Sequence, residues 1–268
     1  MFELSISTTK NKQQYINDLY EKLKLEIKTD KGIIVKQNSY GRVAVAVAIP
    51  EIKKEYYKSK ILDYIIFMII DDYKFNYFKD NLQIVEKNII SQSFLKAISL
   101  FDSEMDSEII KRQVELKNEI LVDSFFYFKL QDLKNRWTKT ANIINQNQVL
   151  YSTESMIEVL KYLTLSSSNY LITANVIFGK KQIKVKQYSG TKSFKRDFDG
   201  CSDFLTEIVR LNPVKINIKK FENETDDNLV KILNDIFLDK VYYLNWKYCL
   251  VNFYESLIFG LTKTNVWI

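Results

Sequence analysis

Apolar positions recur with a period of two over some stretches of the chain and near 3.6 over others, which predicts intermixed strands and helices. Phe2 to Ser7 alternates as a first strand. Asn11 to Lys28 follows as a helix with Tyr15, Ile16, Leu19, Leu23 and Ile27 along one side. Ile33-Ile34-Val35 and Val43 to Ile49 flank Asn38-Ser39-Tyr40-Gly41, a hairpin signature. The second hairpin strand alternates valine with alanine, so one face carries small side chains, and a helix is expected to pack closely on it. These elements form a β-α-β-β start that ends at Pro50. From Glu51 to about Asn81, Ile61, Leu62, Ile65, Phe67, Met68 and Ile69 surround much of the cylinder, so one long buried helix is expected. Shorter helices then carry Ile89, Ile90, Phe94, Leu95 and Ile98, and next Ile109, Ile110, Val114 and Leu121. Phe128 to about Asn147 reads as a further helix, striped by Leu130, Leu133, Trp137, Ala141 and Ile144.

The C-terminal third is the most regular part. Ser152 or Thr153 is placed to cap a helix bearing Met156, Ile157, Leu160 and Leu163, with a capping box from Ser155 to Glu158. Tyr170 to Phe178 is apolar in both alternating sets, as a central strand requires. A reversal at Gly179-Lys180-Lys181 leads into a returning strand with Ile183 and Val185 on one face and Lys184, Lys186 and Tyr188 on the other. Phe204, Leu205, Ile208, Val209 and Leu211 mark a short helix that Asn212-Pro213 ends. Val214, Ile216 and Ile218 alternate in a strand. Thr225-Asp226-Asp227 caps a helix burying Leu229, Val230, Ile232, Leu233, Ile236 and Phe237. Lys240 to Leu244 closes a β-α-β unit of parallel strands, so the sheet is expected to be mixed. The tail after Trp246 is apolar enough to pack back as a helix, and Trp267 stands near its end.

Within this regular part, CSDFLTEIVRLNPVKINIKKF followed by LVKILNDIFLDKVYYL resembles the C-terminal end of the YtxC-like family of sporulation proteins. FFYFKLQDL (Phe125 to Leu133) and MIEVLKYLTL (Met156 to Leu165) are similar to two further segments of that family. The resemblance spans about half the chain, and its motifs are structural. It implies a sporulation-associated cytoplasmic protein and no particular chemistry, because fold kinship does not fix activity. The chain departs from the family pattern at Lys129 and Leu133, where the family shows arginine and tyrosine, and at Asn175, where it has histidine. The cysteine-bearing end is reduced to Cys249. Histidine or metal chemistry is therefore not carried over.

The overall expectation is an α+β, or mixed α/β, fold. It comprises an N-terminal β-α-β-β unit over 1–50, a helical middle region over 51–150, and a C-terminal α/β region over 151–268, or one continuous fold. In the last region a hairpin and a β-α-β unit share a mixed sheet with flanking helices. The chain has no histidine, which removes Ser-His-Asp and Cys-His catalysis and H-E-x-x-H metal sites. Cys201 and Cys249 lack metal-binding spacing. MFELSISTTK lacks the charged and apolar regions of a secretory leader, and Ile61 to Ile70 is too short to span a bilayer. A cytoplasmic chain without cofactor or metal is expected.

A net charge of +6 raises nucleic acid as a partner, although a lysine-rich composition spread over a surface gives the same figure. The candidate binding residues are Lys180, Lys181, Lys184, Lys186, Lys192, Lys195 and Arg196, with Tyr188 and Phe194 interleaved, a mixture that can hold phosphates and stack bases. A solvated strand face reads the same way. Of the paired carboxylates, Asp71-Asp72 is expected to cap the solvent end of an apolar run and Asp226-Asp227 a helix start, rather than to act as acids or metal ligands, since sequence neighbours do not face each other on a helix. The leading expectation is a non-enzymatic interaction or structural protein with a protein partner. A nucleic-acid-binding accessory role through the basic strand is the alternative.

Overall fold

The computed structural model describes residues 1–84, 88–147, 152–166, 169–178, 183–189, 192–198, 200–219 and 227–244. The chain is α+β and divides into two interleaved units, Met1–Leu82 with Ser99–Gln146, and Gln83–Ile98 with Asn147–Ile268. The helical stretch 51–150 is therefore shared between the units. No helix among the described residues is long and apolar enough to cross a membrane.

The first unit is built on strands β1 (Phe2–Thr9), β2 (Ile33–Ser39), β3 (Arg42–Ile49) and β4 (Glu119–Leu121), in the order β2-β3-β1-β4. The β1–β3 and β2–β3 pairs are antiparallel and β4 runs parallel to β1. Helix α1 (Gln13–Thr29) buries Ile16, Leu19, Leu23 and Ile27 and packs on β2 and β3. The sheet's inner face is apolar, carrying Leu4, Ile6, Val43, Val45, Val47 and Ile49. It is this valine face that receives the helix. The alanine face, expected to lie under a helix, is half-exposed and borders an open groove lined by Ala46, Ala48, Ile33 and Val35. Valine has more apolar area to remove from water, and that decides which face turns inward.

Three further readings are revised. The long helix after Pro50 is interrupted: α2 (Lys54–Met68) passes through a π-helical turn, Ile69–Lys74, into α3 (Phe75–Asn81). Leu121, expected on a helix, lies in β4, a strand too short to show a period. The helix expected from Phe128 is two helices, α6 (Val122–Lys129) and α7 (Gln131–Gln146), broken at Leu130 with φ −100° and ψ 36°. Helix α5 (Ser103–Gln113) precedes them.

The second unit contains α4 (Ile89–Leu100, its last two residues counted with the first unit), α8 (Thr153–Ser166), α9 (Cys201–Leu211) and α10 (Asp227–Phe237). Its sheet has the order β7-β6-β5-β8-β9, with β5 (Asn169–Phe178), β6 (Ile183–Ser189), β7 (Lys192–Phe198), β8 (Pro213–Lys219) and β9 (Val241–Leu244). β5 is central, antiparallel to β6 and parallel to β8, and β8 is parallel to β9, so the sheet is mixed. β7 is an addition. Its sequence KSFKRDF is too polar to announce a strand, and it is held by antiparallel pairing with β6. One face of the sheet buries Ala174, Val176, Phe178, Ile216 and Ile218, and Phe204 of α9 meets Phe178 and Phe198 edge-on. Ser152 caps α8, its Oγ accepting the Ser155 amide at 3.1 Å. The cap at Thr225-Asp226 and the tail after Trp246 lie outside the described residues.

The α1–β2 junction sets the register of the first sheet. Lys31 adopts φ 61°, its amide donates to Lys28 C=O at 3.1 Å, and the Gly32 amide donates to Ile27 C=O at 2.8 Å. This is a Schellman closure with a lysine where glycine is favoured. A Cβ on Gly32 would lie 2.9 Å from Ala48 C=O and 2.8 Å from Ile27 Cγ2. Lys31→Gly is expected to raise stability by about 0.5 to 1 kcal/mol, and Gly32→Ala to lower it by about 2 kcal/mol. Urea unfolding followed by tryptophan fluorescence reads both.

Candidate functional site

The π-helical turn gathers the polar groups of the first unit. Its wider winding turns Ile69, Ile70, Tyr73 and Lys74 all inward, and each polar residue of the run Asp71 to Lys74 finds a different partner. Asp71 accepts the Tyr15 hydroxyl at 2.9 Å. Asp72 pairs with Lys12 and accepts Asn76 Nδ2 at 3.1 Å. The two carboxylates thus brace α1 from mid-helix and do not cap the end of an apolar run.

Asp123, in the first turn of α6, is the hub. Its carboxylate accepts the Tyr73 hydroxyl at 2.6 Å, the Thr9 amide at 3.0 Å and Arg42 Nη2 at 3.1 Å. The Thr8 and Thr9 hydroxyls approach at 3.2 Å. Burial works to raise its pKa, but the bonds from Tyr73 and Thr9 and the Arg42 charge outweigh burial and hold it below the usual carboxylate range. Burial and the bond to Asp123 push Tyr73 upward, so it stays a donor. Lys12 Nζ lies 4.2 Å from the centre of the Tyr73 ring, and burial lowers its pKa against the opposing pull of Asp123. A carboxylate has about four lone-pair positions, and the donors around Asp123 occupy them. The arrangement is a staple joining β1, the β2–β3 hairpin, the π turn and α6.

A second buried pair lies beyond it. Lys74 Nζ sits 2.6 Å from Asp106 and donates to Phe101 C=O, and Trp137 Nε1 donates to Asp106 at 3.2 Å. Burial pushes Lys74 below its ordinary value, while Asp106 works in the opposite direction. None of these groups was legible as a cluster in the sequence, since residues 8, 42, 73 and 123 share no spacing. Only the four-residue polar run inside an apolar helix hinted at it.

The sequence-predicted basic residues lie in the second unit. Lys180 and Lys181 fall outside the described residues. The other five divide by register. Lys186 stands opposite Lys195, and Lys184, two residues from Lys186, shares their face. Arg196 stands opposite Val185 and so belongs, with Lys192, to the other face. The Lys186 row continues through Asn175 and Asn217 to Tyr242, and the Lys184 row through Ile177 to Lys219. Lys215 and Lys219 thereby join the lysine face, and Lys215 Nζ lies 4.5 Å from the Tyr242 ring centre. Sequence reading missed both because a parallel strand far along the chain supplies them, although the alternation of Lys215, Asn217 and Lys219 was visible. Asn175 accepts Asn217 Nδ2 at 2.7 Å.

One apolar groove also opens on the first unit. It offers about 290 Å³ between β4 and α6, lined by Val114, Leu121, Phe125 and Phe128 together with the charged Glu115, Glu119 and Lys129. Phe128 is 76% exposed and Tyr127 56%. Among the described residues no cluster of three or more acidic, cysteine or histidine side chains is placed to hold a metal ion. No protein-family profile, curated protein or solved structure matches the chain.

Two outcomes follow from the buried pairs. Asp123→Ala should cost about 3 kcal/mol at neutral pH, because Arg42 and Tyr73 lose their acceptor. The folded carboxyl titrates below its unfolded value near 4, so its contribution is complete above that pH and is lost as pH falls through the folded value. The stability gap between wild type and Asp123→Asn should therefore narrow in acid, as chemical denaturation at stepped pH would show. Asp106→Ala, which strands a buried Lys74 ammonium, should cost about 3 to 5 kcal/mol, and Lys74→Met with Asp106→Leu should restore most of it.

Proposed function

We propose that this chain is a non-enzymatic protein-interaction or structural factor. The observation that carries this reading is the aromatic surface of α6, where Phe128 and Tyr127 stand in solvent beside an apolar groove. Interface cores are enriched in such side chains, and an exposed aromatic cluster beside a groove fits a partner that inserts an apolar side chain. The acidic hub, the chemically richest cluster described, has its acceptor positions filled from within the fold. That supports structure rather than turnover as its role. The setting proposed, a cytoplasmic protein acting during sporulation, rests on the resemblance of Phe125 to Leu133, Met156 to Leu165 and the C-terminal run to the YtxC-like family.

A nucleic-acid-binding accessory role is the second reading. The register favours it by extending a two-strand basic stretch into a face with Lys184, Lys186, Lys195, Lys215 and Lys219 on three strands and Tyr242 on a fourth. Lysines beside an aromatic suit a backbone-tracking, stacking surface.

Affinity purification from sporulating cells, with and without nuclease, separates the two. A discrete protein partner that survives nuclease and is lost with Phe128→Asp is the expected result, and a partner retained by that variant would overturn the groove as its seat. Lys184→Glu with Lys186→Glu should leave that partner bound. If nucleic acid is instead the ligand, the same double variant should weaken binding and flatten the dependence of log affinity on log salt by about 2.

A further inference from the structure

The outer edge of β2 carries an inference that goes beyond a partner at α6. The Lys10 amide donates to Gly41 C=O at 2.8 Å across the β1–β3 ladder, beside the Thr9–Arg42 pair. Arg42 therefore directs its own N–H and C=O away from β1 and toward β2, where it faces Ser39 across the turn Tyr40-Gly41. Hydrogen-bonded pairs then alternate down the hairpin at Ser39, Gln37, Val35 and Ile33. Between them, Ile34, Lys36 and Asn38 aim their backbone groups at the side of β2 that pairs with no strand among the described residues.

Sheet edges are ordinarily guarded by a proline, a bulge or an outstanding charge. β2 contains no proline, and its register with β3 is unbroken from Ile33 to Ser39. Its one charge, Lys36, is tied back over the inner face: Nζ donates to Asn17 Oδ1 at 3.0 Å and lies 5.6 Å from the Tyr20 ring centre. On the outer face Ile33 and Val35 are 59% and 52% exposed, beside Ala48 and Ala46.

We propose that the occupant of this edge is a second copy of the same chain, paired antiparallel about a two-fold axis at Val35. The strand is complementary to itself in that register. Ile34 of one copy exchanges backbone hydrogen bonds with Lys36 of the partner subunit, and Lys36 with Ile34 of the partner subunit. Val35 meets Val35 of the partner subunit on the outer face, in the closely spaced class of pair, and Ile33 meets Gln37 of the partner subunit. A register shifted by two residues, with the axis at Lys36, would set the two Lys36 ammoniums against each other, and like charges directly opposite are unfavourable. The two four-stranded sheets become one of eight strands, in an isologous contact of the kind that closes most dimers.

Analytical ultracentrifugation of the full chain tests this. Wild type is expected at twice the 31.7 kDa chain mass. Val35→Lys should weaken the dimer by about 100-fold through opposed charges and lost apolar burial, with its circular dichroism unchanged. Val35→Cys should form a disulfide-linked dimer under mild oxidation, whereas wild type and an exposed control, Leu25→Cys on α1, should not. A monomeric wild type, a dimer indifferent to Val35→Lys, or a Val35→Cys chain that crosslinks no more than Leu25→Cys would each overturn the proposal. Phe128→Asp should leave the dimer intact, which keeps this edge distinct from the α6 groove.

Discussion

A carboxylate withdrawn from water is unfavourable by several kcal/mol unless its lone pairs are filled, and Asp123 imposes that condition on the first unit. The strand end at Thr8 and Thr9, the hairpin start at Arg42, the π turn at Tyr73 and the first turn of α6 must all arrive together to satisfy it. The first three supply donors and α6 supplies the acceptor. At Ile69–Lys74 the helix turns Tyr73 and Lys74 inward, while Asp71 and Asp72 reach Tyr15 and Lys12.

The second unit depends on a different constraint, strand register. With a side-chain period of two, fixing one pair assigns every residue to a face. The Val176–Ile218 pair commits the apolar set to the buried side, and the same pairing gathers lysines from strands far apart in sequence onto the other. The Asn175–Asn217 bond sits on that second face, where two amides satisfy part of each other's capacity across a parallel ladder.

Among the described residues, the buried polar groups around Asp123 and Asp106 find their partners within the first unit. Among the described residues, the aromatic side chains of α6 and the outer edge of β2 are two of the features that face outward, and the protein partner and second copy proposed above would join there.

Periodicity determined the elements whose stability is local in pattern: α1, the β2–β3 hairpin, α8, the β5–β6 hairpin and the β8-α10-β9 unit with its parallel pairing. These carry long or strict repeats, and in α1, β3, β8 and α10 the apolar repeat is the buried one. Tertiary structure decided the rest. β4 is too short and β7 too polar to form without a neighbour to pair with. The π turn and the break at Leu130 interrupt stretches whose apolar period runs on through them. The alanine face of β3 stayed outside because the valine face had more surface to bury. Hubs such as Asp123 and lysines such as Lys215 become neighbours only through folding, since a sequence records which side chains are present while convergence in space depends on which burial and pairing energies prevail.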